Sequence, residues 1–339
     1  MKLWGSKGVW RRKNTEQKIK DISFSDIKKI AILRHAALGD MVLTRSFIIE
    51  ARKAFPNAVI TISVVSNYTR GTPEDLVDRV HVVHGSDNRN VSIIEQYKRI
   101  KELGEQDIIF DQASSSRSTM TCLLNRATLK IGFPYRKLQA MFLFDIATPR
   151  SNLSFEGSDM MNMLNVLGIK TDYPHRYNMP GETLRRARPY IIYFIGASTP
   201  DKVWPAERFT ELLTLLSTDY PDHDHLVLEG IQEWENADKI LAPLKDSKNI
   251  AVINADTIDE TITVLKGADM VVSNDTGIRH LAIVSETPTV GIFFQDPFRY
   301  WPRFEIHDVA LPDEDGPAST DEVYRCCTNI LTKTLRTGY

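Results

Sequence analysis

The chain is poor in the residues that several functional classes require. Its 339 residues include three cysteines, Cys122 and the adjacent Cys326 and Cys327. That spacing makes neither a metal-ligand pattern nor a disulfide framework, and it suits a reducing compartment. No apolar run approaches the roughly 20 residues needed to span a bilayer. Met1–Lys20 lacks an apolar core segment, so no secretory signal is expected and the expected location is the cytoplasm. A net charge of −2 excludes a general polyanion binder, so no nucleic-acid partner is expected. The loop at 34–40 holds one glycine, too few for a dinucleotide fingerprint, and it is no Walker A loop.

What is present is ordinary in bulk and patterned in detail. Hydrophobic residues make up 42% and charged residues 25%, as in soluble globular proteins, and 339 residues suit two domains better than one. The first twenty residues are basic: Lys2, Lys7, Arg11, Arg12, Lys13, Lys18 and Lys20 are opposed only by Glu16, with Trp4 and Trp10 between them. This arm (1–28) reads either as a disordered leader or as an anchor on anionic lipid.

A first series of strands and helices starts at Lys29. Ile30–Leu33 predicts a strand, Arg34–Asp40 a loop, Met41–Phe55 a helix and Ala58–Val65 a second strand. The loop falls at the carboxyl end of its strand, where open α/β sheets bind ligands. Aspartate at a helix start is a common cap or dipole partner, and that is one reading of Asp40. Later in the series Asp111 leads through Ser115, Arg117 and Ser118 into a helix, and Ile131-Gly132-Phe133 follows. Its serines could cap the helix, and Arg117, Arg136 and Lys137 could be solvated charge. A proline- and charge-rich stretch at 170–189 reads as a linker.

Tyr190–Ile195 opens a second series, with the loop Gly196-Ala197-Ser198-Thr199-Pro200-Asp201-Lys202-Val203-Trp204-Pro205 after it. Small residues let backbone approach a phosphate, and Lys202 supplies a point charge. The series leads to 268–297. There an apolar strand, Met270–Val272, runs into Ser273-Asn274-Asp275-Thr276-Gly277 and a helix from Ile278. A strand, a polar turn and a helix N-terminus make an anion site, because the first N–H groups lack partners and the helix dipole is positive there.

Three elements together resemble the bacterial lipopolysaccharide heptosyltransferases. They are Asp275-Thr276-Gly277-x-x-His280-Leu281-Ala282, Lys202-x-Trp204-Pro205 after Gly196-Ala197-Ser198, and Arg34 followed by Gly39-Asp40. Ala36 and Ala37 stand where that family has two serines. The resemblance implies a GT-B glycosyltransferase, with two Rossmann-like parallel-sheet domains facing across a cleft. Its parts would be an acceptor domain (29–175), a nucleotide-sugar domain (176–318) and a terminal helix (319–339) packing back toward the first domain. It implies metal-independent, inverting transfer of heptose from ADP-heptose to the Kdo or heptose of the lipopolysaccharide inner core, with no cofactor. Asp40 would be the general base. Ser198, Thr199, Lys202, Glu233, Asp275, Thr276, Gly277 and His280 would bind the donor, with Glu229 an alternative register for the ribose-binding Glu233. Arg34, Gly39, Arg117 and Arg136 would bind the acceptor. The enzyme would touch the inner face of the cytoplasmic membrane peripherally. Other outcomes open from sequence are a transferase using another sugar or a protein acceptor, a nucleotide-sugar epimerase and a non-catalytic binder.

Overall fold

The computed structural model describes residues 9–88, 90–134, 137–313 and 316–337. The chain forms two compact units that divide between Tyr177 and Asn178. No helix among the described residues is long and apolar enough to cross a membrane.

In the first unit the elements run β1 (Trp10–Arg11), α1 (Thr15–Asp21), β2 (Lys29–Leu33), α2 (Leu38–Ala54), β3 (Val59–Val65), β4 (Arg79–Val83), α3 (Ile93–Lys101), β5 (Gln106–Asp111), α4 (Ser116–Leu124), β6 (Ala127–Gly132), α5 (Lys137–Leu143), β7 (Ile146–Ala147) and α6 (Glu156–Asn165). The sheet order is β1-β7-β6-β5-β2-β3-β4, parallel except where β1 meets β7. Ile30–Leu33 and Ile108–Phe110 are fully buried because helices cover both faces of the sheet, so these strands read as unbroken apolar runs. The chain builds outward from β2 through β3 to β4, then returns to β5 and builds the other way. The order therefore reverses between β2 and β5.

Residues 9–28 of the arm are folded onto the first unit. Trp10 packs against a core cluster that includes Ala31, Cys122 and Phe144. Arg12 donates to the Phe142 carbonyl at 2.8 Å, and Lys18 pairs with Asp145 at 3.1 Å. Arg11 and Lys20 both face Glu16. Residues 9–28 hold an edge strand and a helix, with Arg11, Arg12, Lys18 and Lys20 each facing a carboxylate; Trp4 lies outside the described residues.

The second unit runs β8 (Tyr190–Phe194), α7 (Ala206–Asp219), β9 (Asp224–Leu228), α8 (Asp238–Leu241), β10 (Ile250–Ile253), α9 (Ile258–Lys266), β11 (Met270–Asn274), α10 (Gly277–Val284), β12 (Thr289–Ile292), β13 (His307–Ala310) and α11 (Thr320–Thr337). Its sheet is wholly parallel, in the order β10-β9-β8-β11-β12-β13, and reverses between β8 and β11. The terminal helix, expected against the first domain, sets Val323, Cys326, Cys327, Ile330 and Leu331 into this unit's own core beside Trp204 and Leu212. All three cysteines are free and buried.

Candidate active site

Each unit has its candidate loops at the carboxyl edge of its sheet, where strand order reverses. A crevice opens there because the two flanking connections leave in opposite directions.

In the first unit the loops follow β2 and β5. Arg34, only 1% exposed, bridges them. Its Nη1 donates to the Gln112 carbonyl at 3.0 Å and to Glu156 Oε1 at 3.1 Å. Its Nε and Nη2 donate to the Asp40 carbonyl at 3.1 and 2.7 Å. Glu156 is fully buried and also takes Arg150, at 2.7 Å. Arg34 therefore turns most of its donors to groups of its own unit. It fixes the backbone of Asp40.

Helix α2 begins at Leu38, earlier than the Met41 start expected, so Gly39 and Asp40 lie in its first turn. The N-cap is Ala37, with no side-chain cap. Asp40 is thus no N-cap. Its Oδ1 lies 3.7 Å from Arg34 Nη2 and accepts no hydrogen bond, while 28% of the side chain remains exposed. A carboxylate braced by a cation yet left with open lone pairs can accept a proton.

At the same carboxyl edge lie His35, His81 and Ser63, which sequence did not single out. His35 follows β2, half-buried. The Arg99 carbonyl can only accept, so His81 Nε2, 2.8 Å away, carries its proton. His81 Nδ1 then accepts from Ser63 Oγ at 2.9 Å. Ser63 accepts from His35 Nε2 and Ser115 donates to His35 Nδ1, each at 3.3 Å. The direction of every bond in the chain follows from that one carbonyl. Burial first, then His81 and Arg117, push His35 down to about 3, so its imidazole is neutral. Asp111 accepts the N–H groups of Ala113 and Ser114 and the Ser118 hydroxyl, and burial pushes it up to about 6. Ser115 caps α4 in a capping box with Ser118. Arg117 is exposed in the first turn of α4. Arg136 lies outside the described residues.

In the second unit the bridging residue is Asn274, fully buried at the end of β11. Its Nδ2 donates to the carbonyls of Ile195 and Gly196 at 3.1 and 3.0 Å. Its Oδ1 accepts the Trp204 N–H at 3.2 Å. One amide thus ties the loop after β8 to the loop after β11. Trp204 is fully buried, and its Nε1 donates to the Ala318 carbonyl at 2.8 Å, so the tryptophan of Lys-x-Trp-Pro is an anchor. Ser198, Thr199 and Lys202 are left exposed on the loop it holds.

Thr276 caps α10 by accepting from Arg279 N. Asp275 and Gly277 are half-buried beside it, and His280 is buried with its ring edge-on to Tyr300 at 5.3 Å. Arg279, unremarked in sequence, is fully buried over the Phe293 ring and donates to the Tyr300 carbonyl at 2.9 Å. Burial lowers it to about 10.

A cleft of about 710 Å³ lies between the ends of β8 and β9, lined by Ile195, Val203, Gly230, Gln232, Glu233 and Trp234. Glu229 is engaged there, accepting the Ala237 N–H at 2.8 Å, whereas Glu233 is exposed on the rim. A third carboxylate, Glu235, is 8% exposed and accepts the Gln232 N–H at 3.0 Å. A Cβ on Gly196 or Gly230 would fall 2.3 or 2.0 Å from its oxygens, so these glycines make room for it. The two units therefore offer a braced carboxylate in one case and, in the other, an exposed lysine on a loop tied to the strand that leads into a capped helix.

Comparison with known proteins gives the family. Residues 97–316 match the model of glycosyltransferase family 9 (heptosyltransferase). Lipopolysaccharide heptosyltransferase 1 of Campylobacter coli is 20% identical over 295 residues, covering 79% of this chain and 84% of that protein. The crystal structure of a glycosyltransferase family 9 protein from Veillonella parvula superposes with TM-score 0.71 at 19% identity, over 92% of this chain and 99% of that one. The E. coli heptosyltransferase WaaC with ADP-2-deoxy-2-fluoro heptose gives 0.68 at 18%, over 92% and 100%. These likenesses establish the GT-B fold. With the model match spanning most of the sequence, the chain belongs to glycosyltransferase family 9, the heptosyltransferases of lipopolysaccharide core synthesis.

Proposed function

We propose that this enzyme moves a heptose from ADP-heptose to the Kdo or heptose of the lipopolysaccharide inner core, with inversion and without a metal. The observation that carries this reading is the Asn274 staple, which brings Lys202 and the α10 N-terminus to one switch point beside a nucleotide-sized cleft. Lysine charge and unpaired N–H groups together suit a diphosphate. Ser198, Thr199, Thr276 and Gly277 line its path, Glu233 holds the ribose from the cleft rim, and Asp275 and His280 face the sugar. In the first unit Gly39, Arg117 and Arg136 receive the acidic acceptor.

Asp40 takes the proton of the acceptor hydroxyl as that oxygen attacks the anomeric carbon. The bond from that carbon to the diphosphate breaks, and ADP leaves with the electron pair. Lys202 and the N–H groups of α10 stabilise the charge that develops on it. General-base assistance of this kind contributes roughly 10²–10⁴-fold in rate. The protein works at the cytoplasmic face of the inner membrane.

Titration with ADP tests the donor site. Lys202→Ala and Gly277→Val should each weaken ADP binding, by about 1–3 kcal/mol for the lysine, while Arg117→Ala leaves it unchanged. Normal affinity in both second-unit variants would place the nucleotide elsewhere. Isothermal titration with a panel of nucleotide-sugars, followed by product mass, tests the sugar. Turnover of another sugar in preference to ADP-heptose would overturn the donor assignment.

A further inference from the structure

Helix α3 has no buried residue, yet it is not a polar helix. Ile93 and Ile94 are 85% and 69% exposed, and Tyr97 is 50% exposed. At about 100° per residue these three share an arc of roughly 100°. Lys98 lies just beyond the Ile94 edge of that arc, Lys101 lies within it, and Glu95 and Glu102 fall on the far side. α3 lies beside α4, whose outward Met120 and Leu123 are 44% and 58% exposed. The apolar surface therefore continues from one helix to the next. Contiguous apolar surface with a cationic margin marks an interaction site.

The chain enters α3 from the carboxyl end of β4, so Ile93 and Ile94 stand at the sheet edge that carries Asp40 and the Ser115–Arg117 turn. The helix is held to the body by backbone carbonyls, not by its apolar side chains. Lys101 reaches the Leu124 carbonyl, Asn125 the Ile100 carbonyl and Arg79 the Glu102 carbonyl. Exposed isoleucines on a helix so fastened contribute nothing to the unit's core.

We propose that the α3–α4 face docks on an anionic lipid bilayer, with Ile93, Ile94 and Tyr97 entering the headgroup boundary and Lys98 meeting lipid phosphates. The placement of charge favours this occupant. Lys98 borders the apolar arc and the acids are turned away from it, as on helices that lie in a membrane interface. The inference rests on the reading of a lipid-linked acceptor, since the docked edge is the one presenting Asp40.

The test is co-sedimentation of the full chain with vesicles of phosphatidylethanolamine and phosphatidylglycerol, and with vesicles of phosphatidylcholine alone. Wild type should bind the anionic vesicles and be released by salt. The I93S/I94S/Y97S variant should lose at least about tenfold in partition, and Lys98→Gln about fivefold on anionic vesicles only. Both should keep the wild-type melting temperature and wild-type turnover on a soluble acceptor fragment. Vesicle binding that is absent in wild type or unchanged in the triple variant overturns the proposal. So does a wild-type dimer that the triple variant converts to monomer, because the face would then join two copies. Loss of vesicle binding with turnover intact separates this inference from the transfer reading, which fails only if turnover or ADP binding does.

Discussion

Asp40 carries the strongest expectation at the scale of single residues. Its backbone is clamped by Arg34 and its carboxylate is not a cap, so removing the charge should spare both fold and donor affinity. Asp40→Asn should lower turnover by about two orders of magnitude or more with ADP affinity unchanged. Turnover within threefold of wild type would exclude it as the base. Glu156→Gln probes the clamp from below. It removes the buried carboxylate that Arg34 and Arg150 share, and uncompensated buried charge is costly. Thermal unfolding should register a loss of about 3 kcal/mol, and an unchanged midpoint would mean that Arg34 and Arg150 are held without it.

The staple at Asn274 belongs to the scale of elements. Its three hydrogen bonds join two loops and form no part of either strand ladder. Asn274→Ala should cost about 1–3 kcal/mol in stability and also weaken ADP binding, because the Lys202 loop is freed from α10. An equal stability loss with ADP affinity intact would make the staple architectural only. The core strands were legible in sequence because burial on both faces leaves no polar alternation to confuse them, as in Ile30–Leu33 and Met270–Val272. The candidate loops were legible for a related reason, since capping residues and glycine mark strand-to-helix turns. Helix α6 was not legible. Its sequence EGSDMMNMLN looks polar, yet Glu156 and Asp159 are buried because Arg34, Arg150 and Ser154 lie opposite them. Asn274, Glu235 and His35 escaped notice for the same cause: most of their partners are main-chain groups or residues far along the chain, which no local pattern announces.

Acid response is a property of the whole molecule. His35, His81, His175, His225 and His307 are all held below 6.5, chiefly by burial, with His35 and His307 near 3 and His225 near 4. An unfolded chain protonates these rings at about 6.5, and the folded chain does not. Their contribution is therefore present above that pH and lost as pH falls toward the folded values. Asp111 and Asp159 are raised by burial and act oppositely, their contribution being lost as pH rises through their folded values. Five histidines against two carboxylates give a net loss on acidification. The unfolding midpoint should drop by about 5–10 °C between roughly pH 7 and pH 5, and His35→Gln with His307→Gln should flatten that slope. A midpoint that rises on acidification would show that the buried carboxylates dominate.

The buried thiols have a practical corollary. Cys122, Cys326 and Cys327 are sealed in the two cores, and burial raises all three, Cys326 to about 12. Almost no thiolate exists at neutral pH for a reagent to attack. The native chain is thus chemically silent toward maleimides, and a cysteine introduced at Ile94 becomes its sole address for a fluorophore. Emission from that dye would record, in real time and on an otherwise unmodified enzyme, whether α3 passes from water into an apolar medium.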